Sequence, residues 1–253
     1  MTEYAPFANP LLVASLAAAF VLAGFVKGVV GLGLPAIAMG LMSLALLPAH
    51  AAALLIVPSL VTNVWQLWAG PDFRGLVRRL WPMLAAVFAG VWLGSGWLAG
   101  EQAGAARVAL GLALALYAGL ALANIRLPPP GRHEAVAAPV VGLATGLVTA
   151  ATGVFTIPAV PYLQSLGLDK EDLIQALGLS FMASTVALAL SLAGDDVYDR
   201  DLLLGSCLAV IPALAGMALG TRLRHRMPAA TFRRWFLIGL FALGAYLAAR
   251  GLF

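Results

Sequence analysis

Charge is scarce in this chain. Only 10% of its 253 residues are Asp, Glu, Lys or Arg, against about 25% in a typical soluble domain. Apolar residues reach 62%, and the mean hydropathy is +0.96. That excess excludes a soluble enzyme, a disordered chain and a nucleic-acid binder. The net charge of +4 is no argument for nucleic acid, because the basic residues sit in short clusters between apolar runs. The single cysteine, Cys207, excludes an intrachain disulfide and binds no metal alone. The three histidines, His50, His133 and His225, all fall at loops. There is no phosphate-binding GxxxxGK[ST] loop and no HExxH, so no nucleotide or metal cofactor is called for. Ser180, in Gly178-Leu179-Ser180-Phe181, has no histidine at membrane depth to activate it, which argues against an enzyme. No Asp or Glu is embedded in an apolar run, so proton coupling has no obvious carrier. His50, placed at an outer loop, is the weak remaining candidate.

What is present are runs long enough to cross a bilayer, which takes roughly 20 residues as a helix. Ten apolar segments lie near 11–30, 34–47, 51–69, 80–98, 105–125, 138–153, 154–167, 173–193, 203–221 and 232–249. The runs are continuous rather than alternating, which excludes a transmembrane barrel. The expectation is an all-α membrane protein with about 8–10 transmembrane helices, its main partner the lipid bilayer.

The halves resemble each other. Gly24-x3-Gly28 matches Gly142-x3-Gly146, Ser59-x3-Asn63 matches Ser180-x3-Ser184, and Gly90-x3-Gly94 matches Gly216-x3-Gly220, at offsets of 118, 121 and 126 residues. The proline-rich stretch Leu127–Glu134 divides them. The expected organisation is a first repeat over 1–126, a linker over 127–137 and a second repeat over 138–253.

Basic residues bias toward the cytoplasmic side. Arg74, Arg78, Arg79, Arg126, Arg132, Arg222, Arg224, Arg226, Arg233 and Arg234 are therefore placed inside, with the linker, and the acidic loop 194–202 (Asp195, Asp196, Asp199, Asp201) outside. Both termini then lie outside. Five segments per half invert the second half relative to the first. Inverted repeats are the pattern of secondary transporters in which one half rocks against the other.

In each half the first two segments read as short or broken. They meet at Gly31-Leu32-Gly33-Leu34-Pro35 and at Thr149-Ala150-Ala151-Thr152-Gly153. Such paired breaks point to a substrate site, with backbone N–H groups and helix N-termini aimed at an anion. Close packing of small residues is the competing reading. Lys27 is the only charge well inside an apolar run. It either balances an anionic substrate or snorkels to the headgroups; its repeat counterpart is Thr145. Ser59, Thr62, Asn63 and Gln66 share one helical face, answered by Ser180, Ser184 and Thr185. These neutral groups suit an oxyanion or interhelical hydrogen bonds. The candidate substrate-binding residues are thus Lys27, Gly31, Gly33, Ser59, Asn63, Thr149, Thr152, Gly153, Ser180 and Ser184. Gly90, Gly94, Gly216 and Gly220 read as packing faces, and Trp65, Trp68 and Trp81 as interface anchors.

The pattern of Gly-x3-Gly, a glycine-rich break and a proline, once per half, resembles the sulfite exporter TauE/SafE family, also called the toluene-sulfonate uptake permeases. Gly24 through Gly33 carries the first copy, and Gly142–Gly146 with Gly153-x4-Pro158 the second. Where that family has a triple glycine, this chain has Gly33-Leu34-Pro35 and Ala151-Thr152-Gly153. The resemblance implies a secondary transporter of sulfite, sulfonates or related small organic anions in the bacterial plasma (inner) membrane. A drug/metabolite-type inverted-repeat transporter of neutral or cationic substrates and a passive anion channel stay open as alternatives. So do the direction of transport and the oligomeric state, a homodimer included.

Overall fold

The computed structural model describes residues 9–68, 70–98, 103–125, 127–195, 197–223 and 229–252. Arg126, Asp196, Arg224, His225 and Arg226, used above for orientation, lie outside the described residues. The described chain is helical throughout: α1 Pro10–Val30, α2 Leu34–Met42, α3 Pro48–Leu67, α4 Phe73–Leu93, α5 Ala103–Leu122, α6 Glu134–Thr152, α7 Ala159–Ser165, α8 Lys170–Gly194, α9 Arg200–Leu223 and α10 Ala229–Leu252. A single 3-10 turn, Gly131–His133, leads into α6. Eight of these helices are long and apolar enough to cross a membrane. The chain is a multi-pass membrane protein.

Only the second segment of each half is short. The helices α2 and α7 hold 9 and 7 residues, whereas α1 and α6 are full length. The apolar run understates α6, which begins four residues before it, at Glu134. The Glu134 carboxylate accepts two hydrogen bonds from Arg79, at 2.6 and 2.8 Å, which anchors that first turn on α4. The start of α4 is understated in the same way. Asp72 caps it by accepting from the Gly75 N–H at 3.0 Å, so the helix opens in a polar stretch that hydropathy passes over. Conversely α7 starts late. Pro158 disfavours helical backbone in the residue before it, and the non-helical run that precedes α7 is buried. Irregular backbone at membrane depth is tolerated only where protein covers it.

Glycine decides which helices meet. A Cβ on Gly24 or Gly28 of α1 would strike the α9 backbone at Ala213 or Met217, and one on Gly216 or Gly220 of α9 would strike α1 at Val21 or Phe25. The second pair repeats this. Gly90 of α4 lies on the Leu143 carbonyl of α6, while Gly142 and Gly146 of α6 lie on the carbonyls of Met83 and Val87. Backbones approach this closely only where both helices carry small residues. Of the four glycines expected to pack, Gly90, Gly216 and Gly220 lie against facing backbone, and Gly94 lies against the Ala150 side chain. The helices form two trios: α1 and α3 pack on α9, and α6 and α8 pack on α4. The trios meet where α3 crosses α8, and α5 and α10 form a further pair.

The exterior is apolar. Trp65, Trp68, Trp81, Trp92 and Trp235 are exposed, together with many leucines, as lipid-facing surfaces require. The interior mixes leucine, alanine and a few large side chains such as Phe20, Phe155 and Phe181 with buried serines and threonines. The basic residues Arg74, Arg78, Arg79 and Arg132 gather at one end of the bundle, and the loops after α4 and α8 meet at the other. There the Gly96 N–H donates to Asp195 at 3.2 Å.

Candidate functional site

Where α1 passes α3, one buried charge meets neutral oxygen. The Lys27 ammonium is only 4% exposed. It donates to Asn63 Oδ1 at 2.6 Å and to Thr62 Oγ1 at 3.0 Å. The snorkelling reading of Lys27 is set aside by this geometry, since the side chain turns inward to α3. No carboxylate pairs with it among the described residues, where the only ion pair is Arg79–Glu134. An ammonium has three N–H donors, so one remains beyond these two bonds.

Asn63 extends the network across the trios. Its Nδ2 donates to Thr185 Oγ1 of α8 at 3.4 Å, and the Thr185 hydroxyl donates to the Phe181 carbonyl at 2.6 Å. Ser59 lies one turn from Asn63 on α3, and Ser180 and Ser184 lie one turn apart on α8. All three are buried, and their hydroxyls have no hydrogen-bond partner in the protein. Buried polar atoms normally find partners. Three free hydroxyls on α3 and α8, together with a lysine that has no counter-ion among the described residues, leave bonding capacity open on these two crossing helices, the α3–α8 seam.

Proline shapes α3 just before this seam. Pro58 has no N–H, so the Leu54 carbonyl loses its helical donor. Ser206 of α9 fills the gap: its hydroxyl donates to the Leu54 carbonyl at 3.0 Å and accepts from the Val57 N–H at 3.2 Å. Ser206 was not singled out from sequence. The signal was the interior proline, which demands a donor from a neighbouring helix.

The breaks are built differently from the seam. Gly31 caps α1 at φ 82°, its N–H donating to the Lys27 carbonyl at 2.8 Å. Gln66 Nε2 of α3 donates to the Gly31 carbonyl at 2.8 Å, which ties the first break to the seam helix. Gly33 then opens α2. Gly153 caps α6 at φ 69° and lies against Met39 of α2. The hydroxyls of Thr149 and Thr152 donate to their own helix, at the carbonyls of Thr145 and Val148. Thr152 also accepts from the Val154 N–H. Of the ten candidate residues, Lys27 and Asn63 are in direct contact, and Ser59, Ser180 and Ser184 are buried on α3 and α8, the two helices that the Asn63–Thr185 bond joins. Gly31 is joined through Gln66. Gly33, Thr149, Thr152 and Gly153 belong to the breaks and do not join the lysine network. Among the described residues no cluster of His, Cys, Asp or Glu could hold a metal ion.

The described residues form a polytopic helical bundle with one buried lysine, Lys27, bonded to α3. The chain matches the family Sulfite exporter TauE/SafE over residues 16–247, nearly its whole length, and belongs to that family. This is a family of membrane transporters named for sulfite export. No curated protein and no solved structure matches the chain.

Proposed function

We propose that this protein moves small anions (sulfite, sulfonates or related organic anions) across the plasma membrane as a secondary transporter, by alternating access. The observation that carries this reading is Lys27: a buried ammonium bonded only to neutral oxygens, with unpartnered serine hydroxyls along the same seam. Keeping such a charge without a counter-ion is costly in a low dielectric. A bound anion relieves that cost, and a cation would raise it. That disfavours the cationic substrates of the drug/metabolite alternative. The proposed substrate contacts are Lys27, Asn63, Ser59, Ser180 and Ser184, with the breaks at Gly31, Gly33, Thr149, Thr152 and Gly153 as the flexible backbone beside them.

Packing supports an inverted duplication. Exchanging the halves turns the α1–α9 pair into α6–α4, and turns the α3–α9 contact into α8–α4. The α3–α8 and α5–α10 pairs map onto themselves. The same exchange revises which bodies move. The glycine-sealed pairs join opposite halves, so the sequence halves are interlaced and do not rock as units. The moving bodies in this reading are the two trios, hinged on the α3–α8 seam where the substrate sits. Two side-chain hydrogen bonds cross that seam, a long one from Asn63 to Thr185 near Lys27 and one from Gln175 Nε2 of α8 to the Leu67 carbonyl at the end of α3.

The test is flux of sulfite and of methanesulfonate into vesicles holding the purified protein. Lys27→Met keeps the stem and removes the charge. Anion flux is expected to fall about tenfold to hundredfold, the worth of a hydrogen bond to a charged group. Undiminished anion flux in that variant, or flux of cations alone, defeats the reading.

A further inference from the structure

Away from Lys27, a cavity of about 440 Å³ opens between α5, α7, the linker and the start of α10, at the basic end of the bundle. Its polar lining residues are Tyr117, Asn124, Gln164, Ser165 and Arg233, and among the described residues no Asp or Glu lines it. Ile157, in the break between α6 and α7, forms part of its wall. Beside it Thr156 is fully buried with an unpartnered hydroxyl. One residue earlier Phe155 packs on Phe181 of α8, ring centroids 5.3 Å apart, next to Ser180 of the seam. The break is therefore the partition between this cavity and the polar face of α8. The corresponding cleft of the other half, between α1, α2 and α10, holds a cavity of about 340 Å³ walled by apolar side chains such as Ile37, Leu41, Phe236 and Leu243. Of the two related clefts, the one beside α5 and α7 is the one that carries a cation.

We propose that this cavity is an anion-binding vestibule, in which Arg233 draws a small soluble oxyanion toward or away from the Lys27 seam through the α6–α7 break. The proposal rests on the transport reading for the anion's destination and on the cavity's own lining for its selectivity. One positive charge in a cleft with no negative one concentrates anions by focusing its field against low-dielectric walls.

The test uses thiol labelling. In a Cys207→Ala chain, Ser165→Cys places a near-isosteric thiol on the cavity wall. The protein is reconstituted in phosphatidylcholine vesicles. It is reacted with the anionic 2-sulfonatoethyl and the cationic 2-(trimethylammonio)ethyl methanethiosulfonates, each rate normalised to that with a free thiol. The anionic reagent is expected to react about tenfold faster, as a unit charge within several ångströms at a protein surface allows. Arg233→Gln should level the two rates, and excess methanesulfonate should slow the anionic reagent. Ile157→Cys repeats the measurement at the break and serves if the first variant fails to fold. Equal normalised rates, or a preference that survives Arg233→Gln, overturn the proposal. Protection by added phosphatidylglycerol with none by methanesulfonate also overturns it, in favour of a lipid headgroup. Labelling needs no flux. Charge preference without anion flux therefore sinks the transport reading and keeps the anion cavity, while anion flux without preference sinks the vestibule alone.

Discussion

The two halves carry the same glycine spacing on α1 and α6 but different chemistry one turn inside it. On α1, Lys27 reaches across to Thr62 and Asn63 of α3. On α6, the counterpart Thr145 donates to the Val141 carbonyl of its own helix at 2.7 Å. The breaks differ as well. The first is held by a neighbour, Gln66, on the Gly31 carbonyl. The second is held by its own Thr152 on the Val154 N–H. The lesson is that the two halves share close backbone contacts, where any side chain would collide, and differ in the side chains that face the interior. The first half supplies the charge, and free hydroxyls come from both, Ser59 on α3 and Ser180 and Ser184 on α8.

This comparison can be broken by experiment. The largest effect is expected where the halves are alike. Gly28→Leu or Gly146→Leu drives a side chain into facing backbone and should cost about 3 kcal/mol or more, at the upper end of overpacking. Thermal unfolding in detergent measures it, and equal losses at both positions show the shared framework. Next comes the divergence itself. Where Lys27→Met should lose most of the anion flux, Thr145→Val should stay within about twofold, because its hydroxyl serves only its own helix. Equal losses in the two variants would make the halves chemically equivalent and remove the charge-bearing role given to Lys27.

A third expectation concerns the proline inside α3, which α8 lacks: Leu179 stands where α3 has Pro58. Ser206→Ala orphans the Leu54 carbonyl and should destabilise by about 1–2 kcal/mol, read from the unfolding midpoint. No shift would mean that the proline gap is filled another way. The smallest effect belongs to Glu134→Gln at the basic end. This ion pair with Arg79 is partly exposed, with relative side-chain exposures of 39% and 27%, and is worth less than about 1 kcal/mol. Raising the salt concentration should shrink that difference further.

Much of the architecture was legible from runs of apolar residues. Their boundaries failed where a polar cap or anchor began the helix, as at Asp72 and Glu134, since hydropathy is blind to both. The shortness of α2 and α7 was legible in the glycines and prolines around them, but α6 looked broken only because its first turn is polar. For the site, Lys27 stood out as a lone charge and Asn63 as part of a polar face, yet nothing in their spacing says that they touch. That depends on how α1 is rolled about its axis against α3. Thr149 and Thr152 have the right chemistry for a ligand, but their hydroxyls fold back onto the helix that carries them.

By itself the sequence determined that the chain is helical, lies in lipid and carries recurring Gly-x3-Gly spacings and one lysine well inside an apolar run. Those are properties of residue type and local spacing, settled by hydrophobic length and by the absence of a Cβ. The tertiary structure alone decided that the glycine pairs cross between the halves, that Ser206 mends α3, and that the lysine meets α8 through Asn63. Such choices depend on helix order and rotation, and those arise from contacts between residues more than a hundred positions apart.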